Sequence, residues 1–470
     1  MSFNNINFIF VFLPLFVIMH AITREKFRNI LLLAGNFIFY FFAVGSSYEW
    51  IVILLLSAVV SYFIGLALER WKDSARKAVF ICGIVYHVLI LVAFKYIGYV
   101  FSSIVPAVIP SAKNVSVFSE ILLPLGISFY TFKSIGYLHD VYRKKITAEK
   151  SFFDFAAYLT LFTQVTMGPI QSYDSIMKTL KRRKITAAGI VDGVTSFIFG
   201  LALKTIFSDR LLAIGNAMKT IGYDSVSTPL AWMGLIAFAM QLYFDFYGYS
   251  LMAEGIGSML GLETPQNFDY PYTAPSMTQF WRRWHMTLGF WFREHLYIPL
   301  GGNRKGKWRT YLNLLIVWLV TGIWHGSTVM YLLWGLFLFA IIALEKSGWI
   351  NKVTDHKVFS HFYMVPLILF SWMFFFLPSV ADLGVYFTRL FPFIVPTPES
   401  VYALDFLPYL KAIGPTMFVG LLFCTPYPRK WYKKIEKIPW ISIPLLFILF
   451  WVAVYLISGS TGNPFMYVNY

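Results

Sequence analysis

Residues 49–68 read EWIVILLLSAVVSYFIGLAL, twenty positions whose one charge, Glu49, stands at the start. A helix of about 20 mostly apolar residues is what spans the hydrocarbon core of a bilayer. Similar stretches recur at 6–22, 29–44, 78–97, 121–138, 190–208, 229–248, 311–328, 330–345, 361–378, 408–424 and 440–458. Composition agrees: of 470 residues, 58% are hydrophobic, 20% aromatic and 13% charged. Soluble domains carry about 25% charged residues, and disorder requires low hydrophobicity. The expected fold class is all-α: a polytopic membrane helical bundle of about 11–12 spans. It reads as one integral-membrane domain over 1–470. Within it, peripheral N-terminal spans occupy about 1–120, a core about 121–345, and C-terminal spans about 346–470.

Net charge is +16, from 39 Lys+Arg against 23 Asp+Glu. The cations sit in short runs between apolar stretches: Arg24/Lys26/Arg28, Arg70/Lys72/Arg76/Lys77, Arg143/Lys144/Lys145, Lys181–Lys184, Arg304–Arg309 and Arg429/Lys430/Lys433/Lys434. That is the pattern of cytoplasmic loops rather than of a nucleic-acid surface. Loops near 45–48, 101–118, 211–227 and 379–405 carry few cations and are expected outside, as are both termini. Met1 to Ile22 lacks a charged n-region and a cleavage site, so it reads as a retained span. Cys82 and Cys424 give neither a disulfide framework nor a metal-ligand spacing.

Two segments resist a simple span assignment. Phe152–Gln171 is apolar enough to cross, yet basic runs flank it on both sides. A re-entrant or in-plane segment resolves that conflict, since irregular backbone is tolerated at depth when protein surrounds it. The Met167-Gly168-Pro169 break favours this reading over an ordinary span followed by a short one. The second segment, 261–310, is too long for a turn and too aromatic for a solvated linker, so it is expected to lie in plane.

Chemistry concentrates in three places. In Ser276–Leu300, read as one helix at 100° per residue, Phe280, Trp284 and Trp291 share a face. Arg282 and Arg293 lie opposite, with His285 about 60° from Arg282. Such a helix is either a surface anchor whose arginines meet lipid phosphate or the lip of a funnel into the bilayer. In Tyr311–Trp334, His325 lies sixteen residues beyond Arg309, about 24 Å along a helix. An ionisable group that deep is a functional-site candidate, though a neutral histidine can also simply bond a neighbouring helix. Third, Asp245 lies within the aromatic run Gln241–Ser250. A buried carboxylate must be paired, and an arginine from 282–293 is the expected partner. Asp140 reads as the anchor of a span end. His20, His87, His139 and His295 read as packed or interfacial, and His356 and His361 as loop residues. The phosphate-loop, zinc-protease and serine-hydrolase signatures are absent from the sequence.

Several motifs in order resemble the membrane-bound O-acyltransferase family, in its bacterial branch that acetylates alginate. They are Leu123-Pro-Leu-Gly-Ile-Ser-Phe-Tyr-Thr-Phe132, Asp140-Val-Tyr-Arg143, Tyr243-Phe-Asp-Phe-Tyr-Gly-Tyr-Ser250, Phe280-Trp-Arg-Arg-Trp-His-Met-Thr-Leu288, Trp291-Phe-Arg293, Tyr297-Ile-Pro-Leu-Gly-Gly-Asn303, Gly322-Ile-Trp-His-Gly326 and Asn463-Pro-Phe465. The resemblance implies a bundle around a central water-filled tunnel, with His325 and His285 as catalytic residues. Acetyl-CoA would be the acyl donor substrate, with no permanently bound cofactor and no metal. Arg282, Arg283 and Arg293 would hold its phosphates; Asp245, Trp324 and Gln279 are tunnel or structural candidates.

The implied location is the bacterial inner (cytoplasmic) membrane. The implied partners are membrane lipid, an exported polysaccharide acceptor, and an extracytoplasmic SGNH-hydrolase-like acetyltransferase, with no nucleic acid. The general base would be His325, while His285 could orient the thioester, donate to an oxyanion or relay a proton. D-alanyl transfer to teichoic acid, transport of a lipid-linked glycan without chemistry, and a non-catalytic scaffold are the rival readings.

Overall fold

The computed structural model describes residues 1–105, 123–356, 358–459 and 465, and among them there is no β-strand. The chain is a multi-pass membrane protein. Among the described residues, eight helices are long and apolar enough to cross a membrane: Glu25–Val44, Glu49–Arg70, Asp73–Ser102, Ala187–Ile221, Thr228–Met259, Val329–Ser347, Phe359–Phe376 and Pro439–Ser458. A ninth arises if the pair Leu407–Phe423 and Tyr427–Ile435, bent by 77°, counts as one span.

This is fewer than the 11–12 expected, for identifiable reasons. Phe8–Ile22 is a helix but a short one, opening with a wide turn over Phe8–Phe12. The stretch at 121–138 yields Ile127–Tyr142, sixteen residues, with 121 and 122 outside the described residues. Lys307–His325 has nineteen residues, but Asn313, its tryptophans and its basic first turn dilute the apolar character.

Expected loops also shrink. Ala187–Ile221 continues as helix through most of 211–227, and Val380–Leu390 is helical within 379–405. Most of the 101–118 loop lies outside the described residues, as do Asn463 and Pro464.

The chain forms two compact units. One comprises Met1–Phe197 with Ser250–Gln266, the other Ile198–Tyr249 with Asn267–Met466. The long helix Thr228–Met259 therefore contributes residues to both.

In the first unit, Phe152–Gln171 is not a continuous helix. Phe152–Leu159 forms two turns, capped by Ser151 Oγ accepting from the Asp154 N–H at 3.3 Å, and buried irregular backbone follows. Lys133, fully buried on Ile127–Tyr142, makes this possible. Its ammonium donates to the Tyr158 carbonyl and, at 3.0 Å, to Gln164 Oε1. Gln164 Nε2 donates to Gln171 Oε1 at 2.9 Å, and Gln171 Nε2 donates to the Glu263 carbonyl at 2.9 Å. Side chains thus satisfy polar groups that an unbroken helix would have satisfied itself.

The same unit shows why two histidines are packed rather than exposed. His87 Nε2 lies 2.9 Å from Ser61 Oγ, which donates to Ser134 Oγ at 2.9 Å. Arg183 Nη1 donates to His20 Nε2 at 2.7 Å. Asp140 anchors the end of Ile127–Tyr142, 3.5 Å from the Lys145 ammonium.

Candidate active site

The residues described next lie in the second unit. Lys307–His325 and Val329–Ser347 form a helical hairpin joined by Gly326, Ser327 and Thr328. The helix from Arg309 to His325 is unbroken, so the expected separation of about 24 Å between the basic turn and the imidazole holds. His325 is its last residue, 7% exposed. Its ring is caged by aromatics from three helices: Trp324 at 4.5 Å between centroids, Trp334 at 5.0 Å, Phe375 at 5.2 Å and Tyr331 at 6.5 Å. Trp334 and Phe375 meet it nearly edge-to-face, a preferred aromatic geometry. Trp324 is itself buried.

The reading of Ser276–Leu300 as a single helix is overturned. Met277–Arg283 and Met286–Phe292 are separate seven-residue helices, followed by a wide turn over Arg293–Tyr297. The break falls at His285, whose φ of +44° puts it in the left-handed region that non-glycine residues seldom adopt. Three contacts from the preceding irregular stretch, the strap of residues 262–276, compensate. The Met286 N–H donates to the Asn267 carbonyl at 2.9 Å, and the Asp269 N–H donates to the Arg283 carbonyl at 3.0 Å. Asn267 Oδ1 lies 3.0 Å from His285 Nδ1. Asn267 is fully buried and His285 3% exposed, the imidazole meeting the Phe246 ring at 4.7 Å. Burial lowers the His285 pKa from 6.5 to about 3, so the ring is neutral at physiological pH.

A face computed across the break has no meaning, and the residues separate accordingly. Phe280 and Trp284 are buried, while Trp291 is half-buried. Arg282 is exposed, and so is Arg293, which lies 3.3 Å from Glu294. Arg283 is half-buried and donates to Thr273 Oγ1 at 3.1 Å, which commits it to the strap. Gln279 is half-buried, its N–H capped by Ser276 Oγ at 3.2 Å.

Glu345, at the far end of the helix after His325, accepts from the Met277 and Thr278 N–H groups at 2.6 and 2.8 Å. A carboxylate there complements the positive end of the Met277–Arg283 helix. One helix thereby contacts both regions: Trp334 against His325, Glu345 under the helix bearing Arg282. Aromatic contacts also join them, from Trp284 to Trp372 at 5.0 Å, to Phe375 at 5.5 Å, and on to His325.

Asp245 is fully buried, and among the described residues the ion pair it forms is with Lys204 rather than the expected arginine. Lys204 Nζ lies 2.6 Å from Asp245 and 2.9 Å from Asp209, and Ser208 Oγ donates to Asp245 at 3.3 Å. The wide turn Leu203–Ser208 presents Lys204 and Ser208 to the carboxylate. Phe465 closes over the cluster, its ring 4.9 Å from Nζ.

Sequence reasoning missed Lys204, Lys133 and Asn267. A lone lysine inside an apolar stretch was the available signal for the first two. Asn267 carried none, because its role depends on a contact eighteen residues away.

Comparison with known proteins adds the family. Residues 142–387 match the model of MBOAT, the membrane-bound O-acyltransferase family. The chain is 34% identical over 398 residues to a probable alginate O-acetylase AlgI of Pseudomonas syringae pv. tomato, covering 84% of this chain and 76% of that protein. To the probable alginate O-acetylase AlgI of Pseudomonas aeruginosa it is 37% identical, covering 75% and 67%. It is also 31% identical to a peptidoglycan O-acetyltransferase of Helicobacter pylori, covering 79% and 74%.

Proposed function

The chain belongs to the membrane-bound O-acyltransferase family, and from that premise we propose that it moves an acetyl group from cytoplasmic acetyl-CoA through the bilayer. The acceptor is an exported polysaccharide, reached directly or through the serine of an extracytoplasmic SGNH-hydrolase-like partner. The membrane is the bacterial cytoplasmic one. This reading rests on relatives named as O-acetylases of alginate and of peptidoglycan. The observation that carries it is the aromatic-caged His325 at the far end of an unbroken helix from a basic turn.

The physical problem is that the donor is made on one side and the glycan lies on the other. A central passage would let the anionic nucleotide stay at a cationic cytoplasmic mouth while only the acetyl end reaches mid-bilayer. Arg282 and Arg293 are the exposed guanidinium groups for the phosphates, a task suited to multidentate donors. His325 acts as general base on the incoming hydroxyl, an effect that typically supplies about 10²–10⁴-fold. The hydroxyl oxygen attacks the thioester carbonyl, the carbon–sulfur bond breaks, and the proton ends on the thiolate of CoA. Trp324, Trp334 and Phe375 keep the histidine away from bulk water.

The decisive experiment supplies radiolabelled acetyl-CoA to membrane vesicles containing the protein and analyses the glycans by mass spectrometry. Free CoA and acetylated glycan appear together if the reading is right. A transporter would release no CoA, and a scaffold would be indifferent to His325→Ala.

A further inference from the structure

Asn267 determines which nitrogen of His285 carries the proton. Its Oδ1 accepts from the Thr287 backbone N–H at 3.3 Å and from Thr287 Oγ1 at 2.9 Å, and faces His285 Nδ1 at 3.0 Å. A backbone N–H can only donate. The Asn267 atom in front of it is therefore the carbonyl oxygen and not the amide nitrogen, which settles the one ambiguity such a side chain carries. That oxygen has no hydrogen to offer, so Nδ1 is the nitrogen that donates. A neutral imidazole has a single N–H, and Nε2 is left with its lone pair. Nε2 is buried and, among the described residues, has no hydrogen-bond partner. An acceptor stranded in this way is destabilising unless something donates to it.

We propose that His285 meets substrate as a hydrogen-bond acceptor through Nε2, and that Asn267 is the positioning residue that imposes this tautomer. The inference rests on the acyl-transfer reading above and decides among the roles left open for His285. Donation to an oxyanion through Nε2 is the role this tautomer forbids. The complementary group on the substrate is a polarised O–H or N–H: the hydroxyl of the acceptor or an amide of the pantetheine arm. The left-handed backbone of His285 fits this account, because the same strap residue that bonds the ring also bonds the backbone beside it.

The test has two independent readouts on the full-length protein in lipid vesicles. The first is ¹⁵N NMR of histidine-labelled protein, with the His285 signals identified by their loss in His285→Asn. Wild type is expected to show a protonated Nδ1 and a bare Nε2, and Asn267→Leu a substantial Nε2–H population. Asn267→Asp, which still accepts, keeps the wild-type pattern. A protonated Nε2 in the resting wild-type protein overturns the proposal.

The second readout is CoA release from acetyl-CoA in vesicles that contain acceptor glycan. Asn267→Leu lowers kcat/KM by about 10²-fold, and Asn267→Asp restores most of it. A loss confined to the KM for acetyl-CoA assigns the pantetheine amide, and a loss in kcat assigns the acceptor hydroxyl. Full activity in a folded Asn267→Leu protein overturns the proposal, as does failure of Asn267→Asp to rescue while its Nδ1–H pattern is intact. Absence of CoA release from wild type would instead sink the acyl-transfer reading, with the tautomer still open to the first measurement.

Discussion

Gly322 and Gly335 lie against each other's helices at the crossing of the hairpin that carries His325. A Cβ on Gly335 would stand 2.5 Å from the Trp318 carbonyl oxygen, and one on Gly322 would run into that of Tyr331. Each would also come within 3.6 Å of the other glycine's Cα. Small residues allow such an approach between membrane helices, and here it sets where the His325 cage closes. Gly335→Val is expected to cost about 1–3 kcal/mol of overpacking. The measurement is thermal stability in detergent; an unchanged melting temperature would show that the crossing tolerates separation.

His325→Ala should leave the protein folded in the membrane, because the ring lies in an aromatic cage that a small void does not open. Acetyl transfer should fall by at least about 10²-fold. Normal glycan acetylation by a well-expressed variant would remove the residue from the mechanism.

The three arginines should separate as their surroundings do. Arg282→Ala and Arg293→Ala are expected to raise KM for acetyl-CoA more than they lower kcat, since both side chains are exposed. Arg283→Ala should chiefly reduce stability through its lost bond to Thr273. Donor titrations together with melting curves check this ranking, and a kcat effect dominant at Arg282 would contradict it.

Lys204 holds two carboxylates in a site that is almost free of solvent. Removing the cation alone strands buried charge, at a typical cost of about 3–5 kcal/mol. Lys204→Met is therefore expected to lower folded yield sharply, and adding Asp245→Asn should recover part of it. If the double variant were no better than the single one, the ion pair would not be the source of the loss.

Acid should weaken the fold partly through His285. Its folded pKa, about 3, lies below the ordinary 6.5. Between those values the unfolded chain takes up a proton that the folded chain refuses. The stabilisation is complete above pH 6.5 and is lost as pH falls toward 3. Melting temperatures of wild type and His285→Gln, compared at pH 7.5 and 5, should show the smaller acid-induced drop in the variant.

Length and apolarity identified a membrane helical bundle, and they located His325, because those signals run along the chain itself. They named more spans than the eight or nine helices that meet the length and apolarity of a crossing among the described residues, because a sixteen-residue helix and an aromatic, asparagine-bearing one fall short of that composition. The single-helix reading of 276–300 failed for a different reason. No local residue between Ser276 and Leu300 announces a break, and the left-handed turn at His285 is stabilised by Asn267 and Asp269, outside the window. The irregular passage after Leu159 was legible from its flanking charges and its Gly168-Pro169 pair. What satisfies its polar groups, the fully buried Lys133, was not.

Hydrophobic runs, basic punctuation and ordered motifs determined that this chain is a multi-pass acyltransferase-family protein and singled out both histidines. Only the tertiary structure decided that Asp245 pairs with Lys204, that Arg283 bonds Thr273, and that His285 Nε2 is buried without a hydrogen-bond partner among the described residues. The reason is physical. Partition into lipid is additive along the sequence, whereas a hydrogen bond depends on which donor and acceptor the fold brings within about 3 Å.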